Sequence, residues 1–204
     1  MRGWVSEAVA MTSGERGNDP DLRMRQLFAV LADAVHEQLG AEVMRCTGLT
    51  PGSAAILVVA AASQCSTVSG IATSIGLTPS GTLRATVRLE AAGYVARRNS
   101  VDHRSVHVTA TTSGHQVAQQ VFAARQRVAG RAVHGLSQIQ QAQLCDLVQV
   151  MVADLTRDAA HAKVLCQTCD RALCGPGCPI AAIGAQRQLA LIATRTVREK
   201  APDQ

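Results

Sequence analysis

Across residues 21–46 the apolar positions Leu22, Leu27, Val30, Leu31, Val35 and Leu39 recur, apart from one adjacent pair, at steps of three to five. That is the period of a long amphipathic helix. Thr50-Pro51 then supplies a capping hydroxyl followed by the residue suited to a first helical position, and it launches an almost wholly apolar helix over residues 52–63. A short helix is predicted over 68–75, with Gly76 placed to stop it. Thr78-Pro79 repeats the starting signal and opens a helix over 80–92, ended by Gly93. Here the period changes. Residues 94–98 and 106–109 read as short strands around the polar turn 99–105, a β-hairpin. Helical patterns return over 113–135 and 137–159, the second with Leu144, Val148, Met151, Val152 and Leu155 on one face, and a last helix is predicted over 180–200.

Helix, helix, short helix, capped helix and hairpin, in that order, make a helix-turn-helix extended by a wing. The expected fold is therefore mostly α, a winged helix-turn-helix with a small β-hairpin wing. Residues 80–92 would be the recognition helix. Its residues divide by face, with Leu83, Val87, Leu89 and Ala91 supplying packing and Ser80, Thr82, Arg84, Thr86 and Arg88 forming the polar set. Short hydroxyls at a helix start, with Thr78 as its cap, suit phosphate and base-edge contacts, and arginine grips guanine or phosphate. Arg97, Arg98 and Arg104 add charge on the hairpin. Five arginines against Glu90 and Asp102 across 79–109 leave a surplus of three where DNA would lie.

Composition supports an oligomer. Of 204 residues 47% are apolar but only 2% aromatic, so one protomer has few large side chains with which to anchor a deep core. The net charge of +5 is a moderate bias that suits nucleic acid without requiring it. No apolar stretch approaches the roughly 20 residues of a membrane span, and no leader is visible, so a cytoplasmic location and no membrane partner are expected.

Residues 77–114, LTPSGTLRATVRLEAAGYVARRNSVDHRSVHVTATTSG, resemble the MarR-type winged-helix regulators, a likeness that runs over about residues 21–155. It is carried by the LEAAGYVARR exit from the recognition helix, the wing motif Asp102-His103-Arg104-Ser105 and the 111–114 stretch opening the next helix. His103 replaces a second basic residue, and Ala110 stands where a leucine is usual. The resemblance implies that Arg104 enters the minor groove with Asp102 orienting it. It also implies a homodimer joined through the first and last helices of the core, placing two recognition helices on double-stranded DNA at a roughly palindromic site. A small-molecule effector, aromatic or phenolic, between the first helix and the DNA-binding lobe is a further partner it suggests. Cys46, Cys65 and Cys145 fall on or beside apolar stretches and read as buried small hydrophobes. His36, His115 and His134 form no close pair with another metal-ligating residue.

The family pattern does not require the segment CQTCDRALCGPGC, which holds Cys166, Cys169, Cys174 and Cys178, four of the seven cysteines. Its C-x2-C-x4-C-x3-C spacing can bring four sulfurs to one point, Gly175-Pro176-Gly177 allowing the tight bend. An iron–sulfur cluster fits a compact four-cysteine loop ending in Cys-Pro. Zinc in a closed four-thiolate site is the alternative, and a thiol/disulfide switch at Cys166 and Cys169 a third. The chain is expected to divide into a flexible 1–20, a winged-helix and dimerisation domain over 21–158, a cysteine-rich segment over 159–181 and a helix and tail over 182–204. Outside the cysteines no acid–base or nucleophile constellation is found, so no enzyme is expected. The function expected is that of a transcriptional regulator, a repressor whose four-cysteine site senses redox state or metal. The alternatives are a small-ligand-responsive regulator with a structural zinc, and, more distantly, a redox or metal-binding protein without DNA binding.

Overall fold

The computed structural model describes residues 19–63, 66–100, 105–167, 169–170, 178–181 and 183. Its helix starts are set locally, by side chains that accept from the first N–H groups of each helix. Asp19 caps α1 (Pro20–Thr47), Thr50 caps α2 (Pro51–Ala62) and Thr67 caps α3 (Val68–Ile75). Thr78 caps α4 (Pro79–Ala91) and Thr111 caps α5 (Thr112–Val133). Ser137 caps α6 (Gln138–Leu155), and the Gln140 side chain accepts the Ser137 N–H in return. A further helix, α7 (Ala159–Gln167), starts behind Asp158, whose carboxylate accepts the His161 N–H at 2.8 Å. That bond holds the Asp158 carboxyl below its usual range.

The expected helix-helix-helix-hairpin order is present, with two differences. The helix predicted over 137–159 ends at Leu155, where Thr156 turns extended and its hydroxyl donates to the Val152 carbonyl at 2.6 Å, and the chain restarts as α7. The hairpin of β2 (Val95–Asn99) and β3 (Val106–Ala110) is joined by a two-residue strand, β1 (Ser66–Thr67), giving an antiparallel sheet in the order β1-β3-β2. So short a strand has no periodicity to read, and pairing with β3 alone defines it. Of the helix predicted over 180–200, Pro179 to Ala181 are helical, and residues 184–200 lie outside the described residues.

The core forms around α2. Ile56 and Leu57 are fully buried and share one cluster with Ile71 of α3, Leu89 of α4, Val108 of β3 and Val121 of α5. Gly76, at φ 67°, ends α3 in the left-handed region that a side chain disfavours, and so turns the chain from α3 into α4.

The outer helices are far less covered. Helix α1 buries only Glu42 and Val43 of its 28 residues, and α6 buries none. Leu27 is 59% exposed and Ile139 74%. Among the described residues, no single helix is long and apolar enough to cross a membrane.

Among the described residues, one buried side-chain polar atom is unsatisfied. Thr82 Oγ1 is enclosed beneath α4 with no hydrogen-bond partner among the described residues. A stranded hydroxyl costs about 1–3 kcal/mol, whereas an apolar group of the same shape costs nothing comparable. Thr82→Val is therefore expected to raise stability by about 1 kcal/mol. A higher urea midpoint at unchanged slope would show it, and a lower midpoint would mean the hydroxyl is bonded.

Candidate nucleic-acid interface

Helix α4 presents one face outward. Ser80, Leu83, Arg84, Val87, Arg88 and Ala91 are exposed, while Thr82, Ala85, Thr86 and Leu89 are buried. This corrects the division read from sequence. Positions 80, 82, 84, 86 and 88 alternate, and a period of two cannot line one side of a helix. The 3.6-residue period instead turns Thr82 and Thr86 inward, the latter's hydroxyl donating to the Thr82 carbonyl at 2.7 Å. It also carries Leu83 and Val87 out beside the arginines. Neither threonine hydroxyl reaches the surface. Thr78 is exposed at the helix start, where its hydroxyl oxygen accepts the Gly81 N–H at 3.1 Å.

Contacts to β2 and to the start of α5 hold the C-terminal end of the helix. Arg97 of β2 donates through Nε to Glu90 Oε2 at 2.6 Å and through its backbone N–H to Glu90 Oε1 at 3.2 Å. These bonds hold the Glu90 carboxyl below its usual range. The surplus charge read from sequence includes Arg97; in the fold that guanidinium is committed to Glu90 instead of DNA. Just past the same end, the Gly93 carbonyl accepts from the Thr111 hydroxyl at 2.7 Å and the Ser113 hydroxyl at 2.9 Å. The Thr111 N–H also donates to the Tyr94 carbonyl at 3.0 Å. Gly114 then packs its backbone against that same carbonyl so closely that a Cβ would not fit.

The base of the wing is closed by Ser100 N–H on the Ser105 carbonyl at 2.8 Å and Ser105 N–H on Ser100 Oγ at 3.1 Å. Arg98 is exposed on β2. Asp102 and Arg104 lie outside the described residues. Among the described residues no carboxylate pairs with Arg84, Arg88 or Arg98, so their charges face outward uncompensated.

No protein-family model matches the chain, and no curated protein does. Solved structures do. A MarR family protein from Bacillus stearothermophilus matches at TM-score 0.59 and 20% identity, over 72% of this chain and 100% of that one. The YusO protein from Bacillus subtilis matches at TM-score 0.55 and 21% identity, over 70% and 98%. Sco3205, a MarR family transcriptional regulator from Streptomyces coelicolor solved in complex with DNA, matches at TM-score 0.52 and 21% identity, over 71% and 93%. The chain has the MarR-type fold.

Among the described residues, two cysteine neighbourhoods of this MarR-type fold matter for its chemistry. The first is the C-terminal segment. Cys166 and Cys169 form one turn, the Cys169 N–H donating to the Cys166 carbonyl at 3.3 Å, and both are half-buried, as is Cys178. Cys174 lies outside the described residues, and among those described no three metal-ligating side chains converge. The turn does not stand free: Cys169 and Asp170 close a cavity of about 260 Å³ against Val58 and Ala61 of α2 and His115 and Phe122 of α5.

The second is not visible in the sequence, where Cys46 reads as a buried apolar filler. Cys46 is half-buried, and its Sγ lies 2.9 Å from Arg127 Nη2 and 3.3 Å from Arg45 Nη2. Both guanidinium groups converge on Glu42, at 2.8 Å from Arg127 Nε and 2.9 Å from Arg45 Nη2. Cys145 is exposed on α6, also contrary to the apolar reading, and Cys65 lies outside the described residues. Only the i, i+3 spacing of Glu42 and Arg45 hints at this cluster along the chain; Arg127 comes from α5. Nearby, a cavity of about 100 Å³ lies between α1, α2 and α5, with Leu39, Val58 and Val121 in its wall and His36 and Arg125 as its polar residues.

Proposed function

We propose that this chain is a sequence-specific DNA-binding transcriptional regulator, a cytoplasmic repressor that acts as a homodimer on a roughly palindromic operator. The observation that carries this reading is the outward face of α4, where Ser80, Arg84 and Arg88 stand exposed on a helix braced at its C-terminal end, with Arg98 exposed on β2. The likeness in fold to a regulator solved with DNA supports it. Thr78 and Ser80 meet phosphate at the helix start, Arg84 and Arg88 enter the major groove, and Arg98 grips the backbone. Arg104, oriented by Asp102, takes the minor groove. Thr82 and Thr86 serve the core. The exposed apolar surfaces of α1 and α6 support the homodimer, because a single copy leaves them in water. Two recognition helices then meet successive major grooves about 34 Å apart.

The signal in this reading is taken by Cys166, Cys169, Cys174 and Cys178, which hold an iron–sulfur cluster or, as the alternative, zinc. The Cys166–Cys169 turn supports a shared site, since its backbone hydrogen bond places the two cysteines on one bend. A bound cluster would supply one-electron redox chemistry, zinc a redox-inert clasp. The chain's own part is to seat the segment on α2 and α5. A second reading makes the regulator respond to a small ligand, with the four-cysteine site structural. The cavity beside His36 and Arg125 favours it, offering an apolar wall and a cation for an aromatic acid.

Protein purified without oxygen tests the reading directly. Its DNA affinity is expected to fall steeply with salt, by roughly 10³–10⁵ between about 50 and 200 mM for six to ten phosphate contacts. Oxidant is expected to change that affinity by at least about fivefold, and Cys169→Ser with Cys174→Ser to abolish the change. Iron with acid-labile sulfide, or one zinc per chain, distinguishes the two occupants. Absence of DNA binding at low salt would overturn the regulator reading. Unchanged affinity on oxidation would leave the cysteines structural.

A further inference from the structure

The outer face of α4 carries two large apolar side chains that the fold does not use. Leu83 is 39% exposed and Val87 43%, although each directly precedes an exposed arginine, Arg84 and Arg88. They are four residues apart, hence stacked one turn above the other, in a row parallel to Arg84 and Arg88. Nothing inside the protomer requires them there. The core beneath α4 is already filled by Thr82, Ala85, Thr86 and Leu89.

We infer that Leu83 and Val87 read thymine, each packing on the C5-methyl group of a thymine in the major groove. The inference rests on the regulator reading above and names what part of the operator it recognises. Thymine alone among the four bases presents a methyl group in the major groove, and apolar side chains are the groups that select it. The flanking charges support this occupant over an apolar protein surface. Arg84 and Arg88 would be buried at a cost against a hydrophobic partner, whereas beside phosphates or guanine edges they are satisfied. The spacing also suits DNA. One helical turn is about 5.4 Å, between one and two base steps of about 3.4 Å. The two methyl groups would then lie on adjacent or next-adjacent base pairs, with arginine contacts alongside.

Selection of duplexes from a random library by the full-length protein, followed by uracil substitution, tests the inference. The selected half-sites are expected to hold thymine at two positions no more than two steps apart. Replacing each by deoxyuridine removes only the methyl group and is expected to weaken binding roughly fourfold per methyl, the effect of losing one buried methyl contact. Leu83→Ser is expected to erase the discrimination at one position and Val87→Ser at the other. Both residues lie outside the fully buried core, and the effect is read as each protein's own ratio of thymine-site to uracil-site affinity, so a general loss of binding does not enter it. Equal affinity of the unaltered protein for thymine and uracil sites would overturn the inference while leaving the regulator reading intact. So would a uracil effect that persists in both variants, because it would then come from DNA stiffness. A change of oligomeric mass in L83S or V87S with unaltered thymine preference would place the pair in a protein interface and also overturn it. Failure to enrich any sequence would remove the regulator reading itself.

Discussion

Gly114→Ala is expected to be among the most damaging single-methyl changes available in this chain. A Cβ at Gly114 would collide with the Tyr94 carbonyl oxygen, crowd its carbon at 2.9 Å and press on Leu57 Cδ1 at 3.3 Å. The first two are backbone atoms, and they cannot move alone. The Tyr94 carbonyl already accepts the Thr111 N–H, and the preceding Gly93 carbonyl holds the Thr111 and Ser113 hydroxyls. Relief requires lifting the start of α5 away from the end of α4, at the cost of that hydrogen-bonded junction and of packing on Leu57. Overpacking of this severity reaches roughly 3–5 kcal/mol. For a domain of this size that is a fall in melting temperature of about 6–20 °C. DNA affinity should fall further than the folded fraction does, because the same junction sets the tilt of α4. A melting temperature within about 2 °C of the unaltered protein would show that the junction yields cheaply, and would remove this contact as a determinant of recognition-helix position.

The second large effect is expected at Glu42, as a pH dependence. Its carboxylate is 8% exposed and receives hydrogen bonds from Arg45 and Arg127, with Arg131 at 3.9 Å. Arg45 first, then Arg127, lowers its pKa from 4.5 to about 2, against the opposing effect of desolvation. Because the folded value lies below the unfolded one, the carboxylate contributes stability that is fully present above about pH 4.5 and lost as pH falls toward 2. Glu42→Gln removes that acid limb. The urea midpoint of the unaltered protein should exceed that of E42Q at pH 6, and the difference should shrink steadily between pH 4.5 and 2. Glu42→Ala should be worse at neutral pH, since it leaves two guanidinium groups and the Cys46 sulfur facing one another with no carboxylate between them. A difference between the unaltered protein and E42Q that does not vary with pH would show that Glu42 packs rather than pairs. The cluster joins α1 to α5, so its loss is also expected to loosen the helix that carries much of the exposed apolar surface.

Most of the fold could be read along the chain because its determinants are local. Thr50-Pro51 and Thr78-Pro79 mark the starts of α2 and α4, Gly76 and Gly93 mark stops, and the polar interval at 99–105 separates the hairpin strands. A cap acts on an N–H two or three residues away, so sequence spacing is already its geometry. The same holds for the inward and outward faces of α4. The period of 3.6 applied to residues 80–91 separates Thr82, Ala85, Thr86 and Leu89 from Ser80, Leu83, Arg84, Val87 and Arg88, and sorting by residue type misled where it displaced that count, sending Thr82 and Thr86 outward and Leu83, Val87 and Ala91 inward.

What no local pattern could supply is the pairing of distant groups. Strand β1 is two residues long and exists because Ser66 and Thr67 face Val108 and His107. By sequence, Arg97 suits DNA and Glu90 equally well; the fold brings Glu90 within 2.6 Å and so withdraws that charge from the interface. Cys46 resembles any small apolar filler until α5 lays Arg127, 81 residues later, against its sulfur. The value of a charge or a thiol depends on what replaces the water around it. Those neighbours come from remote parts of the chain and are brought together only when the helices pack.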